Sequence, residues 1–336
     1  TLVGVLQARL DALLLPQRRA LQQASVVGAV FWDDALAALD ARAPSSLLAL
    51  CQRALALPHA QSAFGDAQEF AFRHHLLHEV TYGTVLKRDK REQHHRAALW
   101  LLARSAGRGA EFAGLIAEHF ERAGVPERAA EHWALAAQEA LSRHADSAAL
   151  AHADRALALD TGADPKRHFA LLRVRANVWS RRGDVNEHEK TIAALEALAE
   201  AQGDDALRLM AAQQRMHRLC LDGHNEQAHL LGLQRLAAAE ALAPQEAAKV
   251  HNIMIMALGR QGRHEEARVH AQIALTQARA AGDVYTEASV LNNLSVGYLA
   301  ERRLPQAVAS GEKALAAYQS IGSRYGAAIA MLNLAL

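Results

Sequence analysis

The sequence predicts an all-α fold built from stacked helical hairpins, and two observations support this prediction. A turn position recurs along the chain, because Gly183, Gly223, Gly262 and Arg302 are separated by 40, 39 and 40 residues. Hydrophobic residues make up 51% of the chain but aromatic residues only 5%, a mixture that helices tolerate and β-rich folds do not. A fixed period of this length indicates helical hairpins that bury their apolar faces only against neighbouring hairpins.

The turn glycines are predicted to have a structural role. Gly124, Gly223 and Gly262 are each followed five residues later by an alanine, and Gly183 occupies the same phase. Glycine readily adopts the left-handed backbone conformation that ends the first helix of a hairpin. A small residue five positions later allows the second helix to approach the first closely.

The clearest repeat places large residues on its first helix opposite small residues on its second. The two sets are Leu291, Leu294 and Tyr298, and Ala307, Gly311 and Ala314. This alternation resembles the tetratricopeptide repeat, with helices longer than in the common unit of about 34 residues. The chain departs from that pattern at Arg302, His188 and Arg235, where glycine or a small residue is expected.

The periodicity predicts paired helices from residue 110 onward. The first pair is 111–123 with 127–142, and an extra helix follows at 144–159. The later helices are predicted at 165–181, 186–201, 205–221, 226–242, 245–260, 264–280, 284–301 and 305–320, with a last half-pair starting near Arg324. The repeat domain is therefore predicted to occupy residues 105–336 and to be truncated within a repeat.

Residues 1–104 lack the 40-residue spacing and predict a separate small domain. Leucines at positions 6, 10, 13 and 14 fit one helix face, and Pro16 suits the first turn of a second helix. Asp33 or Asp34 is predicted to cap a short helix that ends at Leu39.

A β-hairpin is predicted after these helices. Phe64-Gly65-Asp66 has the composition of a turn, and apolar residues alternate over 69–73, which predicts a strand. Three helices followed by a hairpin form the outline of a winged-helix domain. Further helices are predicted at 75–86 and 90–103.

One segment of this domain resembles a region of bacterial multidomain signalling proteins that carry a P-loop ATPase of the STAND type. The residues that carry the resemblance are Phe70-Ala71-Phe72-Arg73-His74, His78-Glu79-Val80, Tyr82, Val85-Leu86, Arg91, His94 and Arg96. The opening from Leu6 to Trp32 is similar to the winged-helix region that follows the ATPase module. In these proteins the ATPase often follows a class III adenylate or guanylate cyclase domain, and tetratricopeptide repeats lie at the C-terminus. The resemblance implies an ATP-dependent, self-inhibited switch whose repeats sense a partner.

No enzymatic site is predicted within this chain. It contains no G-x-x-x-x-G-K-[ST] motif, so no nucleotide-binding residue is assigned, and it contains no G-x-S-x-G elbow. No catalytic residue, metal or cofactor is predicted. Because Thr1 is not an initiator methionine and Leu336 falls inside a helical pattern, we interpret the sequence as a piece of a longer protein. Catalytic domains of an adenylate cyclase or ATPase would then lie upstream.

The repeats offer the strongest candidate site. Aligning the units on their turn residues places two sets of side chains at equivalent positions, one helical turn apart, and in this repeat family both positions face the inner groove. The sets are Arg173, Gln213, Asn252 and Asn292, and Asn177, His217, Met256 and Val296. A polar ladder of this kind can hydrogen-bond an extended peptide backbone, with the apolar members adding side-chain contact.

Two other groups of residues have simpler explanations than a functional site. His74, His75 and His78 could place two imidazoles on one helix face, but no cysteine lies near, and packing or capping histidines are favoured over a zinc site. The densest basic stretch comprises Arg73, Lys87, Arg88, Lys90, Arg91 and Arg96, which could contact DNA phosphates beside a winged helix. Asp89 and Glu92 interrupt the stretch, so a solvated face or domain contact is favoured.

Composition and charge limit the kinds of partner and compartment that the sequence predicts. The net charge of +1 provides no general attraction to DNA or anionic lipid, and no apolar run is long enough to span a bilayer. Only Cys51 and Cys220 are cysteines, which favours a reducing, cytoplasmic compartment.

We therefore expect a non-catalytic protein-interaction and regulatory region of a larger ATP-dependent signalling protein. Its partner is predicted to be a protein or peptide, with the parent protein's own ATPase module and a second copy of the chain as further candidates. The alternative is a transcription regulator with a DNA-contacting winged helix and a sensing solenoid.

Overall fold

The protein is predominantly helical in a computed structural model that describes residues 2–335. Its described part divides into two compact units, with the division between Val174 and Arg175. No helix within residues 2–335 is both long and apolar enough to cross a membrane. The predicted domain boundary near residue 104 stays a prediction, because a division into compact units does not test where the repeats begin.

The first unit contains nine complete α-helices among its described residues, and a 3₁₀ helix at Ala43–Ser46. They are α1 (Leu2–Asp11), α2 (Leu15–Val27), α3 (Asp33–Leu39), α4 (Leu47–Gln52), α5 (His75–Gly83), α6 (Lys87–Arg104), α7 (Gly109–Ala123), α8 (Pro126–Ser142) and α9 (Asp146–Leu159). Helix α10 (Pro165–Arg182) spans the division between the units. Within the first unit, α6 to α9 pack in sequence order, each against the next.

The second unit consists of helices that pack against their sequence neighbours. They are α11 (Val185–Gln202), α12 (Asp205–Leu221), α13 (Asn225–Leu242), α14 (Pro244–Arg260), α15 (His264–Ala280), α16 (Val284–Ala300), α17 (Leu304–Ser320) and α18 (Arg324–Leu334). Alternate helices also touch, since α12 contacts α14, α14 contacts α16 and α16 contacts α18. The prediction of a helical repeat fold is confirmed.

A small antiparallel sheet lies in the first unit. Its strands are β1 (Val30–Trp32), β2 (Ala56–Pro58) and β3 (Glu69–Phe72), and β3 lies in the centre of the order β1-β3-β2. Phe31 pairs with Phe70, and Leu57 pairs with Ala71. The predicted β-hairpin corresponds to β2 and β3, and β1 adds a strand that the sequence pattern did not predict.

The start of α3 differs from the predicted cap. Trp32 occupies the N-cap position and makes no side-chain cap bond. The Asp33 carboxylate instead accepts a hydrogen bond of 3.0 Å from the backbone N–H of Gln68, in the loop that leads into β3. The same Oδ1 also accepts a hydrogen bond of 2.8 Å from the backbone N–H of Asp34, so Asp33 bonds an amide of the first turn from inside the helix and not from the predicted N-cap position.

The turn glycines adopt the left-handed backbone conformation. Gly124, Gly183, Gly223 and Gly262 have φ angles of 78°, 70°, 84° and 75°. Arg302, which stands at the corresponding turn between α16 and α17, has φ 59° without the freedom of glycine. The repeated turn therefore requires the same backbone conformation even where the sequence departs from glycine.

Small residues allow the helices of the second unit to pack closely. A Cβ atom on Gly232 of α13 would lie 2.6 Å from Cγ of Met254 and 2.8 Å from Cε of Met216. Both methionines are fully buried. In the next repeats, Ala271 and Gly311 are likewise buried on the second helices.

A buried polar chain joins the helices around α5 in the first unit. The Tyr82 hydroxyl lies 2.9 Å from Nε2 of His94, and Nδ1 of His94 lies 2.9 Å from Nδ1 of His119. His94 and His119 are 0% and 3% exposed. Three successive helices, α5, α6 and α7, are thus connected by side-chain hydrogen bonds.

Candidate partner-binding face

The first helices of the repeats in the second unit are joined by side-chain hydrogen bonds. Asn252 of α14 donates from Nδ2 to the Ser289 hydroxyl of α16 at 2.8 Å. Its Oδ1 accepts a hydrogen bond from Nδ2 of Asn293, also on α16, at 2.9 Å. We call the surface formed by α12, α14, α16 and α18 at these polar residues the first-helix face.

The same arrangement recurs between the neighbouring first helices. Nε2 of Gln213 on α12 donates to Glu246 on α14 at 3.3 Å. Nδ2 of Asn333 on α18 donates to Oδ1 of Asn292 on α16 at 3.0 Å. The first-helix face therefore carries a row of amides, in which each repeat bonds to the next.

The amides of this row keep hydrogen-bonding capacity. A carboxamide has two N–H donors and an oxygen with two lone pairs. Asn252 is half-buried and makes one bond at each end of its amide, which leaves positions for a ligand. Asn292 makes one bond at Oδ1 and is only 8% exposed, at the border of the pocket. The bonds between repeats also hold the side chains in fixed orientations, which lowers the entropy lost when a partner binds.

A pocket of about 280 Å³ opens beside this row, between α14, α15, α16 and α18. Its apolar walls include Met256, Val296 and Tyr298, and Asn292 and Asn293 border it. Val296 is 44% exposed, whereas Ile255 behind it is buried. The volume lies near the lower end of the range for ligand sites, about 300–1,000 Å³, and suits a side chain better than a large cofactor.

Three basic side chains line the same pocket. Arg268 is neutralised by Glu301, at 2.6 Å, and by Glu265. Arg260 is exposed and donates to the backbone oxygen of Cys220, and it forms no ion pair with any residue in 2–335. Nδ1 of His264 is buried without a hydrogen-bond partner in the described structure.

The predicted site residues fall into three groups. Gln213, Asn252 and Asn292 belong to the amide row, and Met256 and Val296 line the pocket. His217 of α12 is half-buried, and burial, followed by the charge of Arg260, lowers the pKa of its imidazole. Asn177 and Arg173 are half-buried on α10, and Arg173 belongs to the first unit.

Several residues of this face were not predicted from the sequence. Asn293 rather than Asn292 bonds Asn252, and Asn333 follows Asn293 after 40 residues. This recurrence of asparagine at the repeat period was a detectable signal. Arg260 and His264 gave no such signal, because only the turn between α14 and α15 brings them to one pocket.

The other predicted constellations are engaged in ordinary contacts. Nε2 of His78 lies 2.9 Å from the backbone oxygen of Ser25, and burial lowers the pKa of His78. His75 lies 3.5 Å from Glu79. No group of three or more potential ligands in residues 2–335 has a geometry that could hold a metal ion.

Some residues of the basic stretch also make contacts within the first unit. Nζ of Lys90 lies 4.1 Å from the centre of the Tyr82 ring. Arg96 pairs with Glu92 at 2.8 Å and donates to the backbone oxygen of Leu39. These contacts favour the structural explanation of the stretch over phosphate binding.

Comparison with known proteins supports the helical repeat fold. A tetratricopeptide repeat family model matches residues 246–320, which include α15 to α17 and all of α14 except its first two residues. No curated protein sequence matches the chain at a significant level. The matched residues contain most of the candidate pocket.

Two solved structures are similar to the chain. One is a signal transduction ATPase with numerous domains (STAND) carrying a tetratricopeptide repeat sensor, from Pyrococcus horikoshii, with 15% identity and a TM-score of 0.47. That match covers 99% of this chain and 55% of the other, so the chain spans about half the length of that protein. The second is aspartyl phosphate phosphatase F from Bacillus subtilis, with 10% identity, a TM-score of 0.52, and coverage of 90% of this chain and 82% of that one. At this identity the second likeness shows the fold alone.

Proposed function

We propose that the repeats of this protein bind an extended peptide or protein segment along the first-helix face. The observation that carries the proposal is the row of amides at Gln213, Asn252, Asn292 and Asn333, which leads to an apolar pocket. An extended backbone presents N–H and C=O groups at regular intervals, and carboxamides can pair with both. Tetratricopeptide repeats typically bind proteins or peptides, which agrees with this use of the face.

A selection followed by titration tests the proposal. Random linear peptides displayed on phage are selected against the full chain, and the recovered peptides are titrated by fluorescence anisotropy. Asn252→Ala and Asn292→Ala are each expected to weaken binding by about tenfold, the effect of losing one or two hydrogen bonds. Gln234→Ala, at an exposed position on the second helix α13, is the matched control. Unchanged affinity in both asparagine variants would remove the proposal.

The chain acts, in this proposal, as the regulatory region of a larger ATP-dependent signalling protein in the cytoplasm. The resemblance of residues 70–96 to STAND-type proteins supports this role. So does the element order of the first unit, with helix α2, strand β1, helices α3 and α4, and the hairpin β2–β3, because winged-helix domains share this order. A P-loop ATPase or cyclase encoded upstream of Thr1 is the expected finding, and an unrelated upstream domain would contradict it. The free thiols Cys51 and Cys220 agree with a reducing compartment.

DNA binding by the first unit is the weaker candidate. Helix α4, at the position of a recognition helix, carries no cation and exposes Leu48 (72%). Residues 59–68, which connect β2 to β3, contain no lysine or arginine. Such an element supplies little of the phosphate contact that dominates DNA affinity. Salt-dependent DNA binding by the full chain would revive this alternative, and absence of binding at low salt would exclude it.

A further inference from the structure

The first-helix face is distinguished by its charge as well as by its amides. In α12, α14 and α16, the amide-row residue is accompanied by side chains one turn before it and one and two turns after it. These companions are Met210, His217 and Leu221 on α12, Lys249, Met256 and Arg260 on α14, and Ser289, Val296 and Ala300 on α16. None of them is a carboxylate, whereas two are cations. The acidic residues of these repeats therefore lie mostly elsewhere.

One of the two cations is neutralised within the face. Nζ of Lys249 lies 2.7 Å from Oε1 of Glu246, the carboxylate that also accepts from Gln213. Arg260 lines the pocket and has no such partner among the described residues, and its Nη1 donates to the backbone oxygen of Cys220. The positive charge of the face is therefore concentrated at Arg260.

Two nearby arginines of the second unit make ion pairs that Arg260 lacks. Arg215 pairs with Glu189 at 2.6 Å and with Glu196 at 2.8 Å. Arg263, three residues beyond Arg260, pairs with Glu226 and Glu266. Surface ion pairs form readily wherever an acid is within reach, so the absence of an acid beside Arg260 leaves its charge available to a ligand.

The pocket has a second unpaired polar group. Nδ1 of His264, on the wall beside Arg260, is buried without a hydrogen-bond partner in residues 2–335. A buried polar atom without a partner is a cost in free energy to the folded protein. No carboxylate lines the pocket in the described part of the chain. Its walls are apolar at Met256, Val296 and Tyr298 and carry the amides of the row at one side.

We infer that the pocket recognises an acidic peptide segment, in which an apolar side chain enters between Met256 and Val296 and an adjacent carboxylate pairs with Arg260. The inference rests on the proposed function of the first-helix face and names the chemistry of its partner. The apolar side chain supplies buried area, and the charge-assisted hydrogen bond to the guanidinium selects the neighbouring acid. The amide row binds the peptide backbone on either side.

Parallel peptide selections test this inference. Random linear peptides are selected against the full wild-type chain, against Arg260→Glu, and against Arg235→Glu as a control that reverses an exposed charge on α13 outside the pocket. Wild type and Arg235→Glu are expected to enrich Asp or Glu beside a large apolar residue. Arg260→Glu is expected to enrich Lys or Arg at that place.

If Arg260→Glu folds poorly, titration of a second variant, Arg260→Gln, with a selected peptide still tests the inference. Arg260→Gln is expected to lower the affinity for a selected acidic peptide about tenfold and to reduce the weakening of binding by added salt. Circular dichroism of each variant checks the fold.

The outcomes separate this inference from the proposed function. Enrichment of apolar peptides without an acidic preference, or of the same peptides by Arg260→Glu, overturns the inference. The proposed function then still stands if Asn252→Ala and Asn292→Ala weaken binding. No enrichment at all overturns both, and a wild-type dimer that buries this pocket overturns the acidic partner.

Discussion

Asn293 donates a 2.9 Å hydrogen bond from Nδ2 to Oδ1 of Asn252, across 41 residues of sequence. This bond joins the first helices of two successive repeats at the centre of the first-helix face. Asn252 makes a second bond to the same helix, α16, by donating from its amide nitrogen to the Ser289 hydroxyl. The groups proposed to bind a partner therefore also tie neighbouring repeats together.

We expect this bond to contribute to stability. In a double-mutant cycle, Asn252→Ala and Asn293→Ala should show a coupling free energy of about 0.5–1.5 kcal/mol, the usual net value of one hydrogen bond. Urea unfolding of the single and double variants measures it. The pair Asn252→Ala and Arg235→Ala shares no bond and should be additive within about 0.5 kcal/mol. The same coupling free energy in both double-mutant cycles would contradict the hydrogen bond between Asn252 and Asn293.

Close packing at Gly232 gives a second prediction. Gly232→Ala should lower the free energy of unfolding by about 1–3 kcal/mol, because the added Cβ would meet the buried Met254 and Met216. Gly259→Ala on α14 is the matched control, since nothing lies within 4 Å of its added Cβ. The better helix propensity of alanine should leave that variant unchanged or about 0.5 kcal/mol more stable. Chemical denaturation that ranks the two variants the other way would exclude tight packing at Gly232.

The turn backbone gives a third prediction. Arg302 has φ 59°, a conformation that costs a residue with a side chain about 1 kcal/mol relative to glycine. Arg302→Gly should therefore raise the midpoint of thermal unfolding. Gly262→Ala, at φ 75° in the preceding repeat, should lower it. Shifts of the same sign would show that the left-handed turn does not limit stability.

Acid sensitivity of the first unit is the fourth prediction. Burial, and the nearby charges of His119 and Arg122, hold the pKa of His94 at about 3, below its ordinary 6.5. Burial and Arg122 similarly hold the pKa of His119 at about 4. Below pH 6.5 the unfolded chain binds protons that the folded chain does not. The contribution of the two neutral histidines to the free energy of unfolding is therefore fully present above pH 6.5. It falls toward pH 4, by up to about 1.4 kcal/mol per pH unit for each histidine.

Urea unfolding across this pH range, followed by tryptophan fluorescence, measures the effect. Trp32 and Trp100 report on the same unit as His94. His94→Gln should reduce the slope of stability against pH, whatever it does to the stability at neutral pH. His224→Gln, at an exposed position of the second unit, should leave the slope unchanged. Identical slopes for His94→Gln and wild type would contradict the burial of a neutral imidazole.

The helical repeats were predictable because one local signal repeats. The predicted ranges for α12 and α15, 205–221 and 264–280, coincide with the observed helices. The glycine turn and the small residue after it fix where each hairpin bends, so little depends on distant contacts. Strand β1 was not predicted, and the residues of β2, the first strand of the predicted hairpin, were not located, because each strand has three residues and is defined by pairing with β3.

The candidate site was predictable in kind but not in detail. Asn252 and Asn292 stand at the repeat period, which placed them at equivalent positions of α14 and α16. The sequence did not indicate that Asn252 bonds to Asn293, because that depends on how successive first helices are offset. The sequence also did not indicate that Arg260 lacks an ion pair, because the acids that pair with arginines in this unit are often distant in sequence, as Glu226 is from Arg263.

The methionine methyl groups test the central claim most directly. Met256 lines the pocket, Met254 and Met216 are buried behind the face, and Met331 is 51% exposed outside the pocket. In a chain labelled with ¹³C at the methionine methyls, a peptide recovered by selection should shift the Met256 resonance most and leave Met331 in place. A Met256→Leu variant assigns the signal. A bound peptide that shifts Met331 while Met256 stays unchanged would contradict binding along the first-helix face.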